Sequence, residues 1–187
     1  MFAKEIVKEA GDYILAHMQE ELNIERKSSP TDLVTRLDKE VQNFLVDRIR
    51  SHYPDDQFCA EEGCLRASVG YGSVWVIDPI DGTNNFVAQG DDFAIMVAYF
   101  ENGVGQFGII YDVMKGHCYH GGGTFQACLN EEPLPSFKDK PLRDFLIASN
   151  AGMLETNAWG VAELANASLG VRIYGSAAIS FSKILSG

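Results

Sequence analysis

Apolar residues recur at three- and four-residue steps through Phe2, Ile6, Ala10, Tyr13 and His17, with Leu15, Met18 and Leu22 beside them. That period predicts a helix over 2–22. The Ser28-Ser29-Pro30-Thr31 segment interrupts it, because proline and small polar residues favour turns. A second stripe, Leu37, Val41, Phe44, Leu45 and Ile49, follows Thr35, which stands three residues before Asp38 in a capping arrangement. Tyr53-Pro54-Asp55-Asp56 closes that helix. From Trp75 the texture changes to short β-type runs. Val74-Trp75-Val76-Ile77 predicts a buried strand, and the runs over 93–100 and 104–111 meet at Asn102-Gly103, a strong hairpin signal. A turn at Lys115-Gly116 leads to Cys118-Tyr119-His120, and 124–129 pairs next. A polar connection with Pro133, Pro135 and Pro141 fills 131–143. A strand over 145–149, a helix over 155–169 and a turn feeding an apolar helix over 175–185 complete the pattern.

Helices come first, then an antiparallel meander, then alternating strand and helix. The expected fold class is α+β or layered α/β, with the first two helices as a pair covering a mainly antiparallel sheet. No internal repeat or low-complexity tract interrupts this order.

The chain has 187 residues, with 26 acids against 15 bases and a formal charge of −11. Nucleic acid is a poor partner for such a chain, because phosphate backbones are held by basic stripes. An anionic membrane surface is disfavoured for the same reason. The longest apolar run, Ala94 to Phe100, falls far short of the ~18–20 residues that cross a bilayer. Lys4, Glu5, Lys8 and Glu9 interrupt the N-terminal stretch, so no signal peptide is expected there. Cys59, Cys64, Cys118 and Cys128 form no CxxC pair and are expected as reduced thiols in the cytoplasm. An anionic substrate would need bound divalent cations to attract it.

Candidate chemistry concentrates in Trp75-Val76-Ile77-Asp78-Pro79-Ile80-Asp81-Gly82-Thr83-Asn84-Asn85-Phe86. A buried strand delivers Asp78 at its end, and Asp81 follows across a turn stiffened by Pro79. Two such carboxylates, with the Ile80 carbonyl between them, suit a hard cation such as Mg²⁺, which takes oxygen ligands. Gly82 and Thr83 can present backbone amides to a phosphate, more strongly if Thr83 opens a helix. Taken alone, the segment reads equally well as a Pro-Asp-Gly turn with solvated acids. Ala60-Glu61-Glu62-Gly63 adds two acids that suit either a solvated loop or a two-cation site. Asp38 suits a helix start without any further role.

Together, Lys27-Ser28-Ser29-Pro30-Thr31-Asp32-Leu33-Val34-Thr35, Asp38, Glu61-Glu62, Asp78-Pro79-Ile80-Asp81-Gly82-Thr83 and Gly175-Ser176-Ala177-Ala178 resemble the inositol monophosphatase family of magnesium-dependent, lithium-sensitive phosphomonoesterases. The resemblance covers nearly the whole chain. It implies a layered α-β-α-β-α sandwich, with an N-terminal lobe over 1–140 that holds the metal site and the beginning of a C-terminal α/β lobe over 141–187. It implies that Glu61, Asp78 and the Ile80 carbonyl bind one metal, and that Asp78 and Asp81 bind another. Glu61 and Thr83 would activate the attacking water, with Asp38 orienting the Thr83 hydroxyl. Asp81 and the Gly82 and Thr83 amides would hold substrate phosphate, and Gly175, Ser176 and Ala177 would line its alcohol side. Two or three Mg²⁺ per site, replaceable by Mn²⁺ and inhibited by Ca²⁺ or Li⁺, and a homodimer are implied likewise.

The family pattern continues past Gly-Ser-Ala-Ala into a Trp-Asp motif that carries another ligand. Here Trp75 and Trp159 are followed by Val76 and Gly160, so a C-terminally incomplete family member is expected, with a final apolar helix left uncovered. The expected substrate is a small polyol phosphate such as inositol monophosphate. The alternatives are a nucleotide or sugar phosphate (phosphoadenosine phosphate, NADP, fructose bisphosphate), or a catalytically silent fragment or regulatory binding protein.

Overall fold

Two helices open the chain and cover one face of a sheet. The computed structural model describes residues 2–26, 32–63 and 65–187. The interruption at 28–31 and the Cys64 thiol lie outside them. Helix α1, Phe2–His17, buries Ala3, Ile6, Val7, Ala10 and Ile14. It stops before the predicted 22. Glu20 and Glu21 would place negative charge at the negative end of the helix dipole, and the Leu22 carbonyl instead accepts the Arg36 amide at 2.8 Å. Short antiparallel strands β1, Glu25–Arg26, and β2, Leu33–Val34, lead to α2, Arg36–His52. Thr35 caps α2 and Asp38 returns the bond to the Thr35 amide, a complete capping box.

The main sheet has seven strands in chain order: β3, Gln57–Ala60; β4, Ser73–Asp81; β5, Ala94–Glu101; β6, Val104–Asp112; β7, His117–Gly122; β8, Phe125–Leu129; and β9, Glu132–Pro133. Among the described residues only the β3–β4 pairing is parallel within it. The predicted Asn102-Gly103 hairpin forms with φ of 50° and 83°, the left-handed pair that matches strand twist.

Alternation along the strands makes the layers. Ile95, Val97, Ile109 and Tyr111 join the core under α1 and α2. Ala94, Met96 and Ile110 face the other way, against Ala178 and Ile179 of helix α6, Ala177–Ser186. Each fully buried Ile or Leu of the first core contributes roughly 1.5–3 kcal/mol.

Helix α3, Thr83–Gln89, follows β4. Beyond the main sheet, β10, Leu146–Ala148, and β11, Gly170–Arg172, form a separate parallel pair. The helix predicted over 155–169 is broken. Helix α4, Ala151–Glu155, and helix α5, Val161–Ala167, are separated by left-handed Asn157, Trp159 and Gly160. Asn157 causes the break by bonding locally, its Oδ1 accepting the Ala162 amide at 2.9 Å and its Nδ2 donating to Glu163 at 3.0 Å. Phe181 and Ile184 of α6 are exposed, and Ile184 borders an apolar groove of about 1030 Å³ with Phe137 and Phe145. Among the described residues Cys59, Cys118 and Cys128 are free thiols, and no helix is long and apolar enough to cross a membrane.

Candidate active site

Pro79 has no N–H for the ladder, and the β4–β5 pairing shifts register around it. Asp78 lies opposite Met96 and Asp81 opposite Ala94. Three steps along β4 thus match two along β5, a bulge of one extra residue. Residues three apart in a regular strand point to opposite faces. The bulge brings both carboxylates to one face, the side of Ala94 and Met96 that also carries α6.

Burial pushes the Asp78 carboxyl up to about 8, assisted by the negative charges of Glu61 and Asp81, a hydrogen bond with Glu61, and the charge of Asp38. Its Oδ1 is buried and has no hydrogen-bond partner. Such an atom is costly unless something compensates it. Glu61 stands just past β3, its amide bonded to the Ile77 carbonyl at 3.1 Å, and Arg66 binds the neighbouring Ala60 carbonyl at 2.6 Å.

Asp38 is buried at the start of α2. Its Oδ2 accepts the Thr35 amide at 2.8 Å and the Thr35 hydroxyl at 2.6 Å, and its Oδ1 faces the Thr83 hydroxyl at 3.3 Å. The same hydroxyl lies 3.0 Å from the Ile80 carbonyl. Thr83 has one proton for these two acceptors, so its lone pairs stay available to a water. Burial raises the Asp38 pKa, the Thr35 bonds oppose that rise, and the Glu62 charge adds to it.

The turn after the bulge depends on Gly82, whose φ is 92°. A Cβ there would stand 2.9 Å from the Ser176 Cβ and 3.1 Å from the Asp92 carbonyl oxygen. Asp81 reaches the start of α6. The Ser176 hydroxyl donates to it, as do the Ala178 amide at 2.7 Å and the Ala177 amide at 3.3 Å. Ser176 also caps α6 by accepting the Ile179 amide. Gly175, with φ of 71°, backs onto the Asn85 side chain.

Among the described residues, the candidate site residues therefore gather around the end of β4. Asp78 lies with Glu61; Thr83 with Asp38 and Ile80; Asp81 and Gly82 with Ser176 and Ala177. Three contributors were not anticipated. Asn85 donates to the Asp92 carbonyl at 2.9 Å and the Tyr174 carbonyl at 2.7 Å, tying together the loops on either side of Gly82. The Ala178 amide holds Asp81. Gln42 binds the backbone of Glu62; its sequence signal was a polar residue on the apolar stripe of α2.

Among the described residues no three His, Cys, Asp or Glu side chains close into a ready metal cage. Mg²⁺ does not require one, because it keeps waters and uses one or two carboxylates together with phosphate oxygens. The orphaned Asp78 Oδ1, the adjacent acids and the Ile80 carbonyl form an all-oxygen donor set that fits such an ion.

The helices, the mainly antiparallel sheet and the acids gathered beside a glycine turn at one strand end define the class as an α/β sandwich with a carboxylate cluster at the end of β4. The family model described as the inositol monophosphatase family matches residues 1–187. The inositol-1-monophosphatase of Bacillus subtilis (strain 168) is 40% identical over 190 residues, which span 99% of this chain and 72% of that protein. The crystal structure of inositol monophosphatase-II from Staphylococcus aureus MSSA476 superposes with a TM-score of 0.87 at 37% identity, covering 100% of this chain and 70% of that one. An IMPase/NADP phosphatase complexed with Mg²⁺ and phosphate superposes with a TM-score of 0.88 at 28% identity, covering 98% and 69%. The chain belongs to the inositol monophosphatase family and is a phosphomonoesterase of that family.

Proposed function

We propose that the site hydrolyses the phosphomonoester of a small polyol, such as inositol monophosphate, by Mg²⁺-dependent attack of water. The observation that carries this is Asp78: a carboxyl pushed up to about 8 with an unpartnered buried oxygen, among the charges of Glu61, Asp81 and Asp38. Glu61, Asp78 and the Ile80 carbonyl would hold one ion, and Asp78 and Asp81 another. When bound, such ions supply positive charge to the phosphoryl oxygens and leaving oxygen, and acidify water.

The protein's own groups do the rest. Thr83, oriented by Asp38, would accept a hydrogen bond from the water and aim it, and Glu61 would take up the proton that the water loses. The Gly82 and Thr83 amides hold the phosphate. Gly175, Ser176 and Ala177 border the alcohol group. Asp81 is then shared between an ion and the start of α6. The family resemblance adds replacement of Mg²⁺ by Mn²⁺, inhibition by Li⁺ or Ca²⁺, and a cytoplasmic homodimer.

Phosphate release with increasing Mg²⁺ tests the proposal, using inositol monophosphate, fructose bisphosphate, NADP and phosphoadenosine phosphate. Release that requires Mg²⁺ and is fastest from inositol monophosphate supports it. Preference for NADP, which the IMPase/NADP phosphatase relative makes the second substrate to try, would replace the polyol assignment. Binding of these esters without turnover would identify a binding protein instead.

A further inference from the structure

Gln42 lies one helical turn beyond Asp38 on the buried face of α2, between Val41 and Leu45, and is only 5% exposed. A primary amide in an apolar seam is unfavourable unless its polar atoms are matched. A Leu or Met at this position would bury more apolar surface. The Gln42 side chain is instead committed to a single residue. Its Nε2 donates to the Glu62 carbonyl and its Oε1 accepts the Glu62 amide, each at 2.7 Å. This reciprocal pair imitates one rung of a β-ladder.

The location gives the pair its meaning. The Glu61 amide makes the last bond from the β3 end to β4, to the Ile77 carbonyl, and the chain then leaves the sheet. At the next residue α2 takes over as the backbone's partner. Glu61 is thus held on one side by β4 and on the other, through Glu62, by Gln42. Arg66 reaches the Glu61 carbonyl only at 3.4 Å. The direction from which the Glu61 carboxyl meets Asp78 depends on both anchors. Helix α2 therefore serves the site twice, through Asp38 toward Thr83 and through Gln42 toward Glu61.

We infer that Gln42 is a positioning residue that fixes the Glu61-Glu62 loop so that Glu61 and Asp78 form one cation site. This rests on the proposed role of those two carboxylates. Outer partners of metal ligands change affinity without touching the ion.

The test compares wild type with Q42M, which keeps the volume and removes both bonds, and Q42N, whose amide is one methylene too short to span them. Mg²⁺ alone is titrated by calorimetry, amide hydrogen exchange is followed at Glu62 and in α2, and kcat is measured at saturating Mg²⁺. The expected result for Q42M is Mg²⁺ affinity weakened by about tenfold or more, with faster exchange at Glu62 and unchanged protection at Leu45 and Ile49. The Mg²⁺ concentration at half-maximal rate should rise more than kcat falls. Wild-type Mg²⁺ affinity in Q42M despite faster Glu62 exchange would overturn the inference. If Q42M does not fold, Q42N decides in the same way. Wild-type protein that binds no Mg²⁺ would defeat the reading of the site itself, whereas equal binding by wild type and variant defeats only the role of Gln42.

Discussion

Asp38 and Thr83 are 45 residues apart in the chain, and the Asp38 Oδ1 faces the Thr83 hydroxyl at 3.3 Å while its other oxygen is held by Thr35. One carboxylate thereby completes a helix cap and orients a candidate catalytic hydroxyl. Thr35→Ala should cost about 1 kcal/mol, up to about 2, through the cap. The melting temperature should fall by about 2–4 °C per kcal/mol. Turnover should fall beyond the stability loss, because Asp38 then keeps only the residue-35 amide and is held less firmly toward Thr83, while Mg²⁺ affinity holds. Calorimetry beside kcat at saturating Mg²⁺ checks this, and unchanged kcat would show that the Thr35 hydroxyl is not needed to aim Asp38 at Thr83.

Asp78→Asn separates stability from function. The substitution replaces a carboxyl that burial keeps protonated up to about pH 8 with a neutral amide of the same shape, so the metal-free variant should melt no lower than wild type. Its phosphate release should drop by orders of magnitude, and added Mg²⁺ should no longer raise its melting temperature. Asp81→Asn should also lose turnover by orders of magnitude with the fold intact. Retained turnover in both variants would refute the assignment.

The raised pKa of Asp78 gives a pH signature in the metal-free protein. From about pH 4 to about 8 the folded state keeps a proton on Asp78 that the unfolded chain has released, since the ordinary value is 3.8. This contribution to stability is complete below about pH 4 and is lost as pH rises toward 8. Mg²⁺ competes with that proton, so its stabilising effect should grow over the same interval. Thermal melts from pH 4.5 to 8.5, with and without millimolar Mg²⁺, measure both trends; an effect of Mg²⁺ that does not vary with pH contradicts them.

Gly82→Ala tests the turn after the bulge. The left-handed φ of 92° and the close approach to Ser176 and the Asp92 carbonyl leave no room for a methyl group. A loss of about 1–3 kcal/mol is expected from the backbone strain alone, together with weaker binding of inorganic phosphate. Wild-type stability in the variant would show that the turn relaxes freely.

Much of this was legible locally. The Asn102-Gly103 hairpin and the Thr35–Asp38 cap act over a few residues, so their spacing states their geometry. The Asp78 to Thr83 segment carries its own chemistry in the same way. Other features arise only from packing. The bulge depends on how β5 registers against a strand that contains Pro79, and without it Asp78 and Asp81 would diverge. Contact between Asp81 and Ser176 spans 95 residues, and that between Gln42 and Glu62 spans 20. The break at Asn157 was hidden because the flanking residues, including Ala162, Leu164 and Ala165, form helix readily, while one side chain competes for the backbone.

The central claim is that the acids around Asp78 gather divalent cations with phosphate. Anomalous diffraction from crystals grown with Mn²⁺ and phosphate measures it directly. The account predicts manganese peaks bonded to the Asp78 carboxylate, with Glu61 and the Ile80 carbonyl at one ion and Asp81 at another, and phosphate beside Gly82. Crystals that hold phosphate but show no manganese at Asp78 would contradict it.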